Sequence, residues 1–395
     1  MERVILHSDL NNFFASVECL HNPAIRNKPV IVCGRTEERH GIVLAKNNIA
    51  KGMGIVTGEP INQAKMKCRE AVEVHPDYHR YEDYSRMASQ IYSDYSDRVE
   101  NFGIDECWID LSGGLQSGEA AANDIRRRMK KETGLTVSVG VSFNKIFAKL
   151  GSDMKKPDAV TVISRDNFRE KVWCLPAADL FGVGRVTDAK LKKMCIHTIG
   201  DIAQTRPSYL KSRLGKAGEY LWAYANGYDT SPVSYYGSSV PLKYISNGIT
   251  PPADLVNSDD VKRLIYYLTE EVGSRLREQK AVCSTVAVDF RFTDLSHIQR
   301  QSRLNTATNS TAAIAEKAYE IYLRAFPEHR SFRSLTVRVT ELFPQNEFFV
   351  QTDLFGVSSA EIKKEKLDMT IDQLRSRFGS NCIRRAVLMT ENNKG

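Results

Sequence analysis

Phe102-Gly103-Ile104-Asp105-Glu106-Cys107-Trp108-Ile109-Asp110-Leu111 is an apolar run of strand-like composition broken by two adjacent carboxylates. In an extended segment neighbouring side chains point to opposite faces, so Asp105 and Glu106 can serve one site only where the strand is exposed, twisted or kinked. Gly103, just upstream, permits such a distortion. A further carboxylate stands in a similar setting near the N-terminus, where Val4-Ile5-Leu6-His7-Ser8-Asp9-Leu10 reads as a short strand running into Asn11-Asn12 and a helix. Three carboxylates at one site repel by ~4 kcal/mol per pair at about 4 Å and an effective dielectric of about 20. A hard divalent cation removes that repulsion and takes oxygen ligands. One reading of Asp9, Asp105 and Glu106 is therefore a divalent metal site; the other is that each pairs with Lys or Arg at the surface.

The 395 residues suffice for two to four domains with well-buried cores. Net charge is +7, which fits a polyanionic partner without establishing one. The cysteines at 19, 33, 68, 107, 174, 195, 283 and 382 form no C-x-x-C pair, so zinc and redox motifs are absent and a reduced, cytoplasmic chain is expected. Met1 onward shows no basic segment followed by an apolar core, and no apolar run is long enough for a membrane span, so neither a signal peptide nor a span is expected.

Strands and helices alternate as far as about Ile163. A helix over 12–20 follows the first strand, and Asn11 or Asn12 serves there as an ordinary cap or, with the free N–H groups of the first turn, as part of a phosphate site. After the strand Lys28–Cys33 comes the Gly-punctuated segment 41–55, in which Lys46 and Lys51 either meet a triphosphate or are simply solvated. Helices over 60–69, 81–97 and 116–132 and strands over 136–141 and 159–163 complete this part. Between helices in 166–233, Leu180-Phe181-Gly182-Val183-Gly184-Arg185 has the apolar-Gly-apolar-Gly pattern of a helix-hairpin-helix, whose glycine N–H groups approach a DNA backbone while Lys190, Lys192 and Lys193 add charge; an ordinary turn is the alternative. A Ser/Gly/Pro linker follows. Residues 242–341 then read β-α-β-β-α-β, a ferredoxin-like split unit. Leu335, Val337 and Val339 face its helices, leaving Arg338 on the open face, with Arg291, Arg300 and Arg303 as candidates for that face; Arg333 begins the last strand. Such a face suits phosphate contact, against the alternative of solvated arginines. From Phe343 onward Gln351-Thr352-Asp353-Leu354-Phe355 resembles a docking peptide outside the folded domain, followed by a helix over 359–378 ending at Gly379.

Asp9-Leu10-Asn11-Asn12-Phe13-Phe14, the Gly103–Asp110 stretch, Val137-Ser138-Val139-Gly140-Val141-Ser142-Phe143-Asn144-Lys145 and Asp153-Met154-Lys155-Lys156-Pro157 together resemble the Y-family (translesion) DNA polymerases, in their bacterial DNA polymerase IV-like branch. The resemblance covers residues 3–342. It implies an α+β multidomain, right-hand fold: a ferredoxin-like palm (1–20 and 76–165), small fingers (21–75), a helix-hairpin-helix thumb (166–233), a linker (234–241), a split β-α-β little finger (242–342) and a C-terminal tail (343–395). The implied activity is template-directed deoxynucleotidyl transfer to a primer 3′-hydroxyl, in translesion synthesis and DNA repair. Asp9, Asp105 and Glu106, with the Leu10 carbonyl, would hold two Mg²⁺ ions, Mn²⁺ being the alternative metal. Asn11, Asn12, Phe13, Asn48, Lys51 and Lys156 would bind the nucleotide, with Phe14 as the steric gate against a ribose 2′-hydroxyl. Gly182, Gly184, Arg185, Lys190, Arg291, Arg300, Arg303, Arg333 and Arg338 would contact DNA, and Gln351, Leu354 and Phe355 would dock on a sliding clamp. Primer-template DNA, deoxynucleoside triphosphates and the clamp are the expected partners of a monomer without membrane attachment. Two departures stand out: the finger positions that usually hold Tyr and Arg are Asn48 and Lys51, and Ala159 replaces a common glycine. Lysine cannot form the bidentate fork of arginine. A non-catalytic, clamp-recruited DNA-binding protein of the same fold and a palm-like nucleotide cyclase are the competing readings.

Overall fold

The computed structural model describes residues 3–34, 41–114, 117–238, 241–328, 330–346, 359–379 and 381–388, with backbone alone for 359–363 and 365. One compact unit runs to residue 239 and a second from residue 240 onward. Strands β1 (Ile5–Leu10), β2 (Val30–Cys33), β3 (Val43–Lys46), β4 (Val72–Val74), β5 (Val99–Phe102), β6 (Glu106–Asp110), β7 (Val137–Ser142) and β8 (Val160–Ile163) belong to the first unit.

Five of these form a sheet in the order β5-β6-β1-β7-β8, with β1 central and antiparallel to both neighbours. Alternation sorts its side chains. Leu6, Leu10, Cys107, Ile109, Val137 and Val139 are buried against helices Tyr78–Ser93 and Gly118–Thr133. Ile5, His7, Asp9, Glu106 and Trp108 have the opposite parity, on the face that helix Lys145–Met154 covers. That helix lies so close that a Cβ on Gly140 would fall 1.9 Å from the Ala148 carbonyl oxygen, so only glycine is accommodated there.

The stretch 102–111 is a hairpin and not one kinked strand. β5 ends at Phe102, Gly103-Ile104-Asp105 forms the turn with Gly103 at φ 80°, and β6 begins at Glu106. Asp105 is thereby released from strand alternation, which is how adjacent acids come to serve one side of the sheet.

A small sheet, β3-β2-β4, packs with helices Asn48–Gly52 and Ile61–Lys67 around Ile31, Val43, Ala50 and Ile61. Residues 168–225 add short helices whose core includes Leu180, Leu191, Ile199 and Leu210 and continues into Phe143 and Phe147. Phe181 of the glycine turn meets Phe102 of the hairpin at 5.8 Å between ring centroids.

In the second unit, β9 (Tyr244–Ile249), β10 (Ala281–Phe292), β11 (His297–Thr308) and β12 (Phe332–Pro344) form an antiparallel sheet in the order β11-β10-β12-β9. Helices Ser258–Glu278 and Thr311–Ala325 cover one face, burying Val286, Val288, Phe290, Leu335, Val337 and Val339. The β-α-β-β-α-β order is the one read from sequence. Register corrects one grouping on the other face. Arg303 pairs with Thr285, and Arg338 with Ala287, so both lie on the open face with Arg291, whereas Arg300 pairs with Val288 and has the opposite parity. Arg300 and Arg303 are an odd number of residues apart in one strand, which forbids a shared face. Arg333 lies where the β10–β12 register shifts.

Helix Ser359–Phe378 ends at Gly379, φ 90°, as expected. It is not a free tail. Arg277 donates to Asp372 and, at 2.7 Å, to the Asn309 carbonyl; buried Asp368 accepts the Thr311 N–H at 2.9 Å and an Arg385 N–H at 2.6 Å; Glu270 pairs with Arg375 and Arg385. No helix among the described residues is long and apolar enough to cross a membrane. All eight cysteines are unpaired.

Candidate active site

β1 and β6 place Asp9 directly opposite Glu106. The Leu10 N–H donates to the Asp105 carbonyl at 3.0 Å and fastens the hairpin turn to the end of β1. Beyond these strand ends opens a cleft of about 350 Å³. Its floor is Asp9, Leu10, Asp105 and Lys156; Phe13 and Phe14 line one side, and Lys46 of the small sheet, Asn48 and Lys51 of its helix and Thr57 of the turn that follows form the far wall.

Lysines hold Asp9 and Glu106. Lys156 donates to Asp9 and to Asp153, each at 2.8 Å, and Lys149 donates to Glu106. Burial pushes the Asp9 carboxyl well above the usual carboxylate range, with Lys156 opposing it, and raises Asp105 too, aided by the charge of Glu106. Burial alone would raise Glu106, but the His7 ring and Lys149 more than offset it and hold it low. His7 is fully buried; its Nδ1 lies 2.8 Å from Ser152 Oγ, and its Nε2 faces Glu106 at 3.6 Å. With these side-chain positions no group of three or more acids, histidines or cysteines among the described residues lies close enough to hold a metal ion. The donor chemistry nevertheless fits a hard divalent cation: two carboxylates that burial disfavours as anions line one cleft, with a third opposite the first.

Phe14 stacks on Tyr81 at 4.1 Å and 9°, and the buried Tyr81 hydroxyl donates to Glu18 at 2.7 Å, so the ring at the side of the cleft has a rigid backing. Asn11 lines the cleft but its amide is committed inward: it donates to Ser138 Oγ and accepts from Thr136 Oγ1 and the Asp158 N–H, bracing the chain just after Lys156. Asn12 occupies the cap position in the left-handed region, φ 50°, without a side-chain capping bond; its amide donates instead to Asn48 Oδ1 at 3.0 Å, joining the two sheets across the cleft. Lys149, His7, Ser152 and Tyr81 were not singled out from sequence. For Lys149 the available signal was its place, with Lys145, among the apolar residues Ile146, Phe147, Ala148 and Leu150 of one helix.

Gly182 adopts φ 91°, and Gly184 precedes helix Arg185–Lys193, on which Arg185 and Lys190 are exposed while Lys192 pairs with Asp188. On the open sheet face Arg338 is engaged, stacked on Tyr244 and 3.5 Å from Asp289. Gln351, Leu354 and Phe355 lie outside the described residues.

A carboxylate-bearing sheet facing a lysine-bearing wall, joined to a hairpin-containing helical unit, is the build of a right-hand polymerase. Family models agree along the chain: the impB/mucB/samB family matches residues 8–153, its C-terminal domain 242–354, and the thumb domain described for DNA polymerase-iota 178–229. The sequence is 49% identical to DNA polymerase IV of Acetivibrio thermocellus over 99% of this chain and 98% of that one. It is 34% identical to DNA polymerase IV of Clostridium acetobutylicum over the whole of both, and 32% identical to DNA polymerase IV 1 of Bacillus subtilis over 99% and 95%. A solved Y-family DNA polymerase chimera superposes with a TM-score of 0.77 at 23% identity, covering 86% of this chain and 99% of the other. The chain belongs to the Y-family, the impB/mucB/samB family of DNA polymerases, in the DNA polymerase IV-like branch.

Proposed function

We propose that the cleft transfers a deoxynucleotide to a primer 3′-hydroxyl opposite a template base, and that this DNA-directed DNA polymerase serves translesion synthesis. The observation that carries the reading is the placement of Asp9 and Asp105 on the floor of a cleft whose far wall is cationic, with Glu106 opposite Asp9 and the turn at Asp105 fastened by the Leu10 N–H. As a member of its family the enzyme depends on a divalent metal and binds primer-template DNA and nucleotides. Asp9, Asp105, Glu106 and the Leu10 carbonyl are the groups to hold Mg²⁺, two ions in the proposal, which when bound acidify the primer hydroxyl and neutralise charge on the triphosphate.

The chain's own residues do the rest. Lys149 and His7 set the Glu106 carboxylate, and Lys156 balances charge at the floor. Phe14, pinned by Tyr81, is the surface that a 2′-hydroxyl would strike. Asn12 and Asn48 form one polar contact between palm and fingers beside the nucleotide, and Lys51 offers a point charge. Gly182, Gly184, Arg185 and Lys190, with Arg291 and Arg303, are the groups to meet phosphate, and Gln351, Leu354 and Phe355 those to meet a sliding clamp, with the polymerase acting as a monomer in the cytoplasm. The test is extension of a primed template with Mg²⁺ and each nucleotide singly. Incorporation should follow the template base; extension independent of template, or none, would remove the proposal.

A further inference from the structure

Lys46 ends β3 and turns its half-buried side chain into the wall of the cleft that faces the carboxylates. Its ammonium donates at 2.9 Å to the Thr57 hydroxyl, a neutral acceptor, and among the described residues it has no carboxylate within ion-pair distance. Other lysines nearby are neutralised: Lys65 by Glu73 and Lys67 by Glu59 on the helix beside the small sheet, Lys149 by Glu106, and Lys156 on the floor by Asp9 and Asp153. Glu59, an acid whose charge reaches Lys46, is consumed by Lys67 and the Val56 N–H. Lys51 shares the wall, likewise without a carboxylate partner among the described residues.

Two cations on one wall are therefore left unbalanced, and burial together with the Lys51 charge disfavours the protonated form of Lys46. A polyanion relieves both penalties, burial by hydrogen bonding and repulsion by neutralisation. The carboxylate floor lies on the other side of the same cleft, so an entering anion is drawn to the lysine wall. We propose that Lys46, held by Thr57, is a phosphate ligand for the incoming nucleotide, and that Lys46 and Lys51 together supply the charge that a single forked arginine would give. The assignment rests on the polymerase reading for the identity of the nucleotide, and on the wall itself for the polyphosphate.

The test compares wild type, Lys46→Gln, Lys46→Arg and Lys51→Gln in three measurements. These are single-nucleotide insertion, equilibrium binding of a deoxynucleoside triphosphate to enzyme on a dideoxy-terminated primer-template, and binding of inorganic tripolyphosphate to the enzyme alone. Losing a charge-assisted contact should raise KM and both dissociation constants in Lys46→Gln by about tenfold or more, with kcat changed by less than about threefold. Lys46→Arg should recover most of the affinity, and thermal melting should be unchanged, which a role in holding the 57 loop would not give. Unaltered affinities in Lys46→Gln, or a fall in kcat at constant nucleotide affinity, would overturn the assignment. A wild type that fails to extend primers sinks the polymerase reading instead, and tripolyphosphate affinity still decides the lysine pair.

Discussion

Replacing Tyr81 asks whether the surface under the nucleotide's sugar is rigid because of what lies behind it. The Phe14 and Tyr81 rings are near parallel at 4.1 Å, and Tyr81 is fully buried with its hydroxyl on Glu18 Oε1, whose other oxygen takes Arg80 at 3.0 Å. Tyr81→Phe keeps the stack and removes one hydrogen bond from a buried carboxylate, a cost of about 1–3 kcal/mol. Tyr81→Leu loses that bond and the ring pair, a further ~0.5–1.5 kcal/mol. Both variants should fall in stability to urea, the leucine more, yet only the leucine frees the Phe14 ring. Relaxing that ring by ~1.4 kcal/mol corresponds to about tenfold in discrimination. The assay is the ratio of deoxynucleotide to ribonucleotide insertion efficiency on one template. Tyr81→Leu should lower the ratio by about three- to tenfold and Tyr81→Phe should leave it within about twofold, while Phe14→Ala should lower it more than either. An unchanged ratio in Tyr81→Leu, or an equal fall in the phenylalanine variant, would refute the idea that stacking fixes the gate.

Three further outcomes follow from named contacts. Asp368→Ala leaves Arg385 and the Thr311 N–H short of a buried acceptor and should destabilise the second unit by about 3–5 kcal/mol, read as an earlier urea transition of the full chain. Arg291→Ala and Arg303→Ala should each lower the salt slope of DNA binding by about one, whereas Arg338→Ala, whose guanidinium already serves Asp289 and Tyr244, should change it little. Burial alone would raise Glu100, but Lys145 and the Ser234 N–H more than offset it and hold it below the usual glutamate value of 4.5. A depressed folded-state pKa adds stability that is present above the unfolded value and lost as pH falls through the folded one, so thermal stability of wild type relative to Glu100→Gln should shrink on acidification below about 4.5. A constant difference would remove Glu100 from the attachment of the chain around Ser234.

Much of this was legible in residue order. The Asp9 strand, the acids after Gly103 and the β-α-β-β-α-β order each carry a local signal: polar breaks in apolar runs, or a change of hydrophobic period. The hairpin was not legible, because an apolar run on both sides of Gly103-Ile104-Asp105 looks continuous until the strands pair. Arg300 was misgrouped because which face a β11 residue takes depends on its register with β10. Asn12 reads as a cap by residue type, yet its partner, Asn48, is distant in sequence. Asp368, Asp372 and Arg375 look like a solvated helix surface; only Arg277, Glu270 and Arg385, brought in by folding, make them a docking face. Long-range pairing of charges leaves no trace in local pattern, which is why Lys149 on Glu106 was missed and Lys156 was read as a nucleotide contact without its pairing to Asp9.

The most direct measurement is primer extension with Mg²⁺ by Asp105→Ala/Glu106→Ala beside wild type, with primer-template affinity determined in parallel. Asp105 sits on the turn and Glu106 opposite Asp9, and neither is among the groups proposed to meet DNA. Extension should be lost while DNA affinity stays within about twofold of wild type. A double variant that extends primers at the wild-type rate would contradict the assignment of chemistry to these carboxylates.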